Sequence, residues 1–396
     1  MKNIKKDFPF FQHHENIVYL DSAASAQKPQ VMIDCIKHTY ETSYANVHRG
    51  SFPVSDNITE KYEQARKTVA KFFHANPREV IFTKGTTDSI NMSIRTLEDN
   101  GFIKDGDHIL LTEFEHHSNL VPWLQLQKRK NIKIHLAPIN DQQELDIKEY
   151  ENLLKKHPIK ITAFTHVSNT TGTLLPIKKM SELAKKHNAI SIIDAAQSAA
   201  HIDIDVKDIQ CDILAASAHK MYGPTSVGIL YITEELLKKL SSPVGGGSMV
   251  NQVFRDSFEE QEYPQNFEAG TPPIVEAIGF AAACDYINSI GKTKIYEHEK
   301  ELTEYAYILL ETLPNIKIFS HKKSVGIINF FFPDHMSIQI AEELGERNIC
   351  IRAGRFCTHP LLETLGISSS IRISLGMYNT KEDIDTAYQA LSEIIA

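Results

Sequence analysis

The chain has 396 residues, of which 42 are Lys or Arg and 50 are Asp or Glu, so its net charge is −8. This length predicts two closely packed domains, and hydrophobic and charged fractions of 42% and 23% are ordinary for a soluble globular protein. The acidic balance argues against a general binder of nucleic acids or anionic membranes, since such proteins use basic surfaces.

Membrane insertion and export are not indicated either. No apolar run approaches the length of about 18 residues that a membrane span requires, and the lysine-containing start is followed by too short an apolar segment for a signal peptide. The five cysteines form neither a CxxC pair nor a disulfide-dense pattern, which is typical of a reducing compartment. We therefore predict a cytoplasmic protein with no membrane or nucleic-acid partner.

Short apolar runs alternate with helix-length segments between about residues 60 and 235. The runs are 79–83, 108–112, 133–136, 160–165, 190–194, 212–216 and 227–232. Strands separated by helices indicate βαβ units and a mostly parallel sheet covered by helices on both faces. The sequence therefore predicts an α/β fold, with a three-layer α/β/α large domain.

The pattern changes after residue 243. Gly and Pro punctuate residues 243–273, which favours an irregular excursion. A long helical stretch is predicted at 275–313, followed by strands at 325–332, 349–352 and 372–374 and a C-terminal helix at 381–395. We predict a large domain at 15–285 and a smaller α+β domain made of 1–14 and 286–396.

A lysine, Lys220, follows the sixth predicted strand in the run SAHKMYGP at 217–224. Asp194 ends the preceding strand, and Gln197 comes shortly after it. Pyridoxal phosphate requires an amine that attaches it covalently, an acid that keeps its ring nitrogen protonated, and donors for its phosphate. Ligands bind at the carboxyl ends of strands in such sheets, so this stretch predicts a pyridoxal phosphate site. For Asp194 alone, a helix-capping role is the alternative.

Further segments share a pattern with one family. They are LDSAASAQKP at 20–29, ANVHRG at 45–50, EHHSN at 115–119, THVSN at 165–169, FEAGT at 267–271 and RISLGMYN at 372–379. With the lysine run, they resemble the cysteine desulfurases of the SufS type, within the class V aminotransferase family, from about residue 17 to the C-terminus. The resemblance implies a fold-type I transferase that depends on pyridoxal 5′-phosphate, with the small domain carrying a catalytic cysteine loop.

The resemblance also implies the contacts of the cofactor phosphate. Residues matching Thr86, Thr87, Ser217 and His219 bind it, and Thr271 reaches it from the partner subunit, which implies a homodimer. The sequence supports an anion site at Thr86 and Thr87 because a Gly-Thr-Thr run follows a strand and begins a helix. A simple helix cap is the alternative for this run.

His116 matches the family histidine that stacks on the cofactor ring and moves protons. An imidazole is planar and titrates near neutrality, so it suits both roles. A zinc site at the adjacent histidines is the alternative, but neighbouring residues of an extended chain point to different sides and no HExxH or Cys/His spacing accompanies them. We therefore expect no metal site.

Substrate contacts are implied at Arg372, Asn169, Ala23 and His48. Arg372 matches the arginine that binds the amino-acid carboxylate, and a guanidinium suits that planar anion through two parallel hydrogen bonds. Asn169 matches a residue that contacts substrate and cofactor, as Gln197 does for the cofactor ring oxygen, and Ala23 lies in the matching segment at 20–29. His48, beside Arg49, is placed at the mouth of the site, with an ordinary exposed loop as the alternative.

Cys357 separates a desulfurase from related aminotransferases. It lies between Gly354 and Pro360, in a loop that can present a side chain, and a nearby positive charge from Arg355 or His359 would favour the nucleophilic thiolate. The other four cysteines lie in apolar or helical runs and are predicted to be core residues. Many SufS-type enzymes have two histidines where this chain has Arg355 and Phe356, so Arg355 is either an activating cation or a docking residue.

The resemblance implies conversion of L-cysteine to L-alanine, with the sulfur held on Cys357 as a persulfide. An acceptor protein of SufE or SufU type would then receive it for iron–sulfur cluster assembly or related sulfur trafficking. Selenocysteine lyase activity on L-selenocysteine is an alternative, since the same site could support it. Another class V enzyme, such as an aminotransferase or racemase, would have no use for Cys357.

Overall fold

The computed structural model describes residues 4–140 and 142–396. Its helices are α1 Phe10–His13, α2 Gln30–Thr42, α3 Pro53–Phe72, α4 Thr86–Asp99, α5 His117–Gln127, α6 Ile147–Lys156, α7 Ile177–Lys186, α8 Val206–Ile209, α9 Glu234–Leu237, α10 Ile274–Ile290, α11 Lys292–Leu310, α12 Ser337–Glu346, α13 His359–Thr364 and α14 Lys381–Ile394. Its strands are β1 Val18–Tyr19, β2 Val80–Thr83, β3 His108–Thr112, β4 Lys133–Ala137, β5 Ile159–Thr165, β6 Ile190–Asp194, β7 Ile213–Ser217, β8 Gly228–Ile232, β9 Val250–Val253, β10 Phe258–Glu260, β11 Lys317–Ile318, β12 Ile327–Phe331, β13 Ile349–Cys350, β14 Arg352–Gly354 and β15 Ser370–Ser374.

The large sheet has the order β2-β8-β7-β6-β5-β3-β4. All its pairs are parallel except those of β8, which runs antiparallel to β2 and β7. The predicted α/β fold with a mostly parallel sheet is therefore confirmed. Each of the seven strands predicted for this sheet is present, with ends displaced by one residue at most. In the smaller domain, the strands predicted at 325–332 and 372–374 are β12 and β15, and the strand predicted at 349–352 is divided between β13 and β14.

Successive side chains of each strand point to opposite faces of the large sheet, so the hydrophobic core is divided into two parts, one on each face. In β7, Leu214 packs on the face covered by α3, α7 and α10, whereas Ile213 packs on the face covered by α4 and α5. Successive strand side chains point to opposite faces, so strands that are apolar throughout need helices on both sides. This arrangement is the predicted three-layer domain.

The smaller sheet has the order β11-β12-β15-β14 and is antiparallel throughout. Helices α11, α12 and α14 pack apolar residues against it, including Leu302, Leu344 and Leu391. Near the N-terminus, β1 pairs in parallel with β13, while Phe8 packs in the core of the large sheet. Residues 1–3 of the predicted small domain lie outside the described residues, and the predicted domain boundaries stay a prediction.

Two local predictions need correction. The helical stretch predicted at 275–313 is two helices, because Gly291 has a φ of 96°, a backbone conformation that ends α10 before α11 begins. The excursion at 243–273 contains the hairpin β9-β10. Its strands pair only with each other and expose Val253 and Phe258, so they lack the apolar alternation that would mark a strand packed on a core.

In the part of the chain that the structure describes, no helix combines the length and apolar character needed to cross a membrane.

Candidate active site

A cavity of about 230 Å³ lies at the carboxyl ends of β5, β6 and β7. Most of the predicted site residues line it: Ala23, Thr86, Thr87, His116, Asn169, Asp194, Gln197, Ser217, His219, Lys220 and Arg372. They come from segments far apart in the chain, and the sheet brings them together because its strand ends share one edge. Three predicted residues, Cys357, Thr271 and His48, are not among the lining residues.

Four predicted phosphate contacts lie together around the N-terminus of α4: Thr86, Thr87, Ser217 and His219. Thr86 donates its backbone N–H to Ser217 Oγ at 2.7 Å, and the two hydroxyls are 2.8 Å apart. The approach is close because Gly85 has a φ of 140° and a Cβ there would lie 3.1 Å from Ser217 Oγ. Helix N-termini favour anions through their free N–H groups, so this end of the cavity suits a phosphate.

Lys220 is positioned by a tight turn. Strand β7 ends at Ser217, and the 3-10 turn Ala218–Lys220 returns the chain toward the cavity. Burial lowers the pKa of Lys220 to about 8, with Asp194 acting in the opposite direction. The amine is therefore much easier to deprotonate than an ordinary lysine, as covalent attachment of a carbonyl compound requires.

Asp194 is buried at the end of β6, where the N–H of Ala196 donates to its Oδ1 at 2.9 Å. Burial raises its pKa. A buried carboxylate is stabilised by a neighbouring cation, and a protonated ring nitrogen would be one. Gln197 is held beside it by donating from Nε2 to the carbonyl of Ala23 at 2.9 Å.

His116 caps helix α5, and its Nδ1 accepts the backbone N–H of Ser118 at 3.0 Å. This bond assigns the ring proton to Nε2. Burial, aided by the positive charge of Lys220, lowers the pKa of His116 to about 3. The imidazole is therefore neutral near pH 7, with a donor at Nε2 and no net charge.

Arg372 is buried on β15 and binds the carbonyl of Asn169 at 2.9 Å and Asp21 Oδ1 at 2.8 Å. Its Nε has no hydrogen-bond partner within the described residues. Burial lowers its pKa, and Arg352 adds to the effect. The neighbouring strand β14 pairs Arg352 directly with Arg372, so two guanidinium groups reach one cavity that would suit a carboxylate.

Arg352 is a site residue that the sequence analysis missed. It begins β14, just ahead of the cysteine loop, and it lines the cavity. Lys28 was missed as well. Its Nζ donates to the carbonyls of Ala26 and His219 at 2.6 and 2.8 Å, which ties the N-terminal segment to the lysine turn. Lys28 lies within the segment at 20–29 that carries the resemblance, and Arg352 lies just ahead of the cysteine loop, but only tertiary contacts and strand pairing show what each residue touches.

Cys357 lies in a loop that is held against the large domain by several contacts. The N–H of His117 donates to the carbonyl of Cys357 at 2.8 Å, and Asn169 Nδ2 donates to the carbonyl of Phe356 at 2.8 Å. The buried hydroxyls of Thr170 and Thr358 are 2.6 Å apart. Phe356 and Cys357 both have positive φ, 48° and 57°. Residues other than glycine rarely adopt this backbone conformation, so the tertiary contacts must stabilise it here.

The loop brings the sulfur within electrostatic reach of the cavity. A negative charge at Cys357 acts to raise the pKa values of Lys220 and Arg372. Phe356 lines the cavity, and its ring lies 5.0 Å from the guanidinium of Arg372. Arg355 is exposed. The activating and the docking role of Arg355 both stay predictions.

The other cysteines differ from one another in burial. Cys211 and Cys284 are buried, and burial raises both of their pKa values. Cys35 and Cys350 are half-buried, so they are more accessible than the predicted core residues would be. Burial raises the pKa values of these two thiols as well, which makes them poor nucleophiles near neutrality.

Thr271 and His48 lie outside the cavity of their own chain. Thr271 is exposed, and His48 binds Glu63 through Nε2 at 3.0 Å. A buried ion pair links the two regions: Arg66 binds Glu63, and its Nη1 lies 2.6 Å from Oε1 of Glu268. Glu268 belongs to the same FEAGT segment as Thr271, so this pair holds both segments at one surface. Their roles in the site stay predictions.

Comparison with known proteins identifies the class. The profile described as Aminotransferase class-V matches residues 18–386. A protein of Staphylococcus epidermidis named probable cysteine desulfurase is 40% identical over 399 residues, covering 99% of this chain and 96% of that protein. The chain therefore belongs to the class V aminotransferase family.

Solved structures agree with this placement. The apo cysteine desulfurase of Thermococcus onnurineus NA1 superimposes with a TM-score of 0.95 at 34% identity, covering 100% of this chain and 98% of that one. The cysteine desulfurase CsdA of Escherichia coli, in an S-sulfonic acid form, gives a TM-score of 0.90 at 34% identity, with coverages of 99% and 97%.

The cofactor of this enzyme is pyridoxal 5′-phosphate. The donor set fits it: an amine of lowered pKa, a buried carboxylate without a cationic hydrogen-bond partner among the described residues, and a helix N-terminus. Lys220 would hold the cofactor covalently, Asp194 would face its ring nitrogen, and Thr86 with His219 would bind its phosphate.

Proposed function

We propose that this pyridoxal phosphate-dependent cysteine desulfurase moves the sulfur of L-cysteine to Cys357 and releases L-alanine. The observation that carries the proposal is the anchored loop, which holds a partly exposed thiol within electrostatic reach of Lys220 and Arg372. In the reaction, the carbon–sulfur bond of the substrate breaks and a sulfur–sulfur bond forms. The β-carbon is reduced as the sulfur is oxidised, so no further reactant is needed.

Substrate binding relies on the paired arginines. Arg372 and Arg352 would bind the amino-acid carboxylate, and Asp21 would hold Arg372 in place through its 2.8 Å contact. Asn169 would connect the two halves of the site, since its carbonyl accepts from Arg372 and its side chain holds the carbonyl of Phe356. Substrate position and loop position would then depend on one residue.

Proton movement relies on Lys220 and His116. When bound, the cofactor supplies an electron-withdrawing ring that stabilises negative charge on the substrate carbon. Lys220 Nζ would move the proton of the α-carbon, because its pKa of about 8 lets it exist in both protonation states near neutrality. His116 would cover the ring as a neutral group and donate from Nε2.

The proposed protein partners are a sulfur acceptor and a second copy of this chain. We place the enzyme in the SufS type, with a SufE- or SufU-type protein accepting the persulfide sulfur for iron–sulfur cluster assembly or related trafficking. Exposed Arg355 and His359 flank Cys357, which favours an acceptor with an acidic surface. Exposed apolar side chains on α2, α3 and the β9-β10 hairpin, including Tyr40, Val54 and Phe258, support a homodimer.

A Cys357→Ser variant tests the proposal, with Cys350→Ser as the matched control seven residues away. Cys357→Ser should keep the cofactor absorption spectrum and lose alanine formation from cysteine, whereas Cys350→Ser should keep both. Labelled sulfur from cysteine should map to the peptide containing Cys357. Unchanged cysteine turnover in Cys357→Ser would falsify the assignment. Turnover of selenocysteine but not cysteine by the parent enzyme would also contradict it.

A further inference from the structure

Three histidines meet at the opposite end of the sheet from the cavity. His108 begins β3, His135 lies in the edge strand β4, and His157 follows α6. His135 Nε2 lies 3.1 Å from His108 Nδ1, and the rings of His135 and His157 are stacked with centroids 4.1 Å apart. Each residue offers one ring nitrogen, and the three nitrogens lie within 4.8 Å of one another.

The topology explains why they meet. His108 and Leu110 share one face of β3, and Leu110 is the register partner of His135 on β4. This is the face on which α6 packs, since Leu110 and Leu154 belong to the same core. His157 is the C-terminal cap of α6, where its N–H donates to the carbonyl of Leu153, so the helix places this residue near the start of β3.

We propose that His108, His135 and His157 form a binding site for a borderline divalent cation such as Zn²⁺, with solvent in the fourth position. Zinc binds imidazole nitrogens at about 2.0–2.1 Å, so tetrahedral ligands lie about 3.3 Å apart. The 3.1 Å contact between His108 and His135 is close to that separation. His157 would need to approach by about 1.5 Å at most, which a small rotation of its side chain provides.

The charges around the cluster keep the rings of His108 and His135 neutral but also partly oppose a cation. Burial lowers the pKa values of His108 and His135, and the neighbouring histidines and lysines lower them further. Neutral rings have a lone pair free for a metal. Lys133 and Lys156 oppose a bound cation, whereas Asp107 favours it. Imidazole ligands select Zn²⁺, Ni²⁺ or Cu²⁺ over Mg²⁺ or Ca²⁺.

A metal here would have a structural effect. Strand β4 has a single neighbour in the large sheet, β3. A bound ion would join β3, β4 and the end of α6, and so stabilise this edge. The site is separated from the cavity by the length of β3, about 16 Å, so the ion would not take part in the chemistry there.

Zinc binding by the holoenzyme tests the proposal. After removal of metals, the parent dialysed against ZnCl₂ should hold one Zn²⁺ per chain at this site, and Zn²⁺ should raise its Tm by a few degrees. His135→Gln and His157→Gln should each weaken this binding at least tenfold and abolish the Tm rise. The exposed His335 supplies the matched control, since His335→Gln should behave as the parent does.

One measurement controls for loss of folding, and one further variant controls for zinc binding elsewhere. Unchanged cofactor absorbance in His135→Gln and His157→Gln would show that both variants fold. Cys357→Ser should keep the zinc stoichiometry of the histidine site. Equal binding by the parent, His135→Gln and His157→Gln would overturn the proposal, as would loss of zinc in Cys357→Ser alone. Absence of bound zinc in the parent would leave the three histidines as a packing cluster and would also overturn the proposal.

Discussion

Glu115 is a buried carboxyl group immediately before His116, and its replacement by Gln gives a pH-dependent prediction. Thr112 Oγ1, Asn119 Nδ2 and the N–H of Thr165 donate to it at 2.5, 2.6 and 3.1 Å. These donors favour the ionised form, but burial outweighs them and raises the pKa of Glu115 to about 8. The group is therefore mainly protonated in the folded protein at neutral pH.

The sign of the effect on stability follows from linkage. The ordinary pKa of the group is 4.5, so in the unfolded chain it ionises above that pH. Folding must then return a proton to Glu115. The free energy of unfolding therefore falls as pH rises from about 4.5 to about 8. Because each pKa unit corresponds to about 1.4 kcal/mol, the ceiling of this loss is about 5 kcal/mol. Between about pH 5.5 and about pH 8.5, the loss is about 3 kcal/mol.

Glu115→Gln has no proton to restore, so it should escape this loss. Its new NH₂ group would face Asn119, whose Oδ1 has no partner among the described residues and can accept once the amide turns. Any imperfect hydrogen bond would add a constant offset of about 1–3 kcal/mol. Comparing the parent with Glu115→Gln across the pH range isolates the pH-dependent part of the difference in stability, because the constant offset is the same at every pH.

The assay is thermal unfolding of holoenzyme with saturating cofactor at constant protein concentration. An unfolding entropy of about 0.8 kcal/mol/K for a chain of this length converts 3 kcal/mol to about 4 °C. Over that pH range, the parent's Tm should therefore fall about 4 °C more than the variant's. The partly exposed Glu113, two residues earlier, gives the control Glu113→Gln, which should follow the parent. A constant Tm difference between Glu115→Gln and the parent at every pH would refute the reasoning.

Three further predictions concern the active site. Lys220→Ala should abolish cysteine turnover, and borohydride reduction of the parent followed by peptide mapping should place the cofactor on Lys220; an adduct on another lysine would contradict this. Inactive Lys220→Ala chains mixed with a disruptive Thr271 variant should recover activity in mixed dimers, because each dimer would regain one complete site; verified heterodimers without activity would count against a shared site. Because Arg355 is exposed, we expect that Arg355→Ala does not change the pH dependence of Cys357 alkylation by a neutral reagent. The same variant should weaken the salt-sensitive stimulation of turnover by an acidic acceptor. A shift of the alkylation profile to higher pH would instead show that Arg355 activates the thiol.

The strands of the large sheet were predictable because their apolar runs are short, β-branched and separated by helix-length segments. The Asp194 position was predictable for the same reason, since a polar residue that ends a buried strand lies at the ligand-binding edge of the sheet. The hairpin β9-β10 was not, because its exposed strands carry no core pattern. The break at Gly291 was missed because an isolated glycine inside a helical pattern can also be tolerated, and the sequence alone does not show its backbone conformation.

The sequence by itself determined the fold class, and it predicted the lysine and the acid of the cofactor site and the cysteine that the resemblance marks as the nucleophile. These depend on local periodicity and on residue types at fixed spacing. Only the tertiary structure decided that Arg352 lies beside Arg372, that Asn169 holds the cysteine loop, and that His108, His135 and His157 meet. Such features depend on strand pairing between distant segments and on burial, which sets the pKa of Glu115. Neither strand pairing between distant segments nor burial can be deduced from the spacing of neighbouring residues.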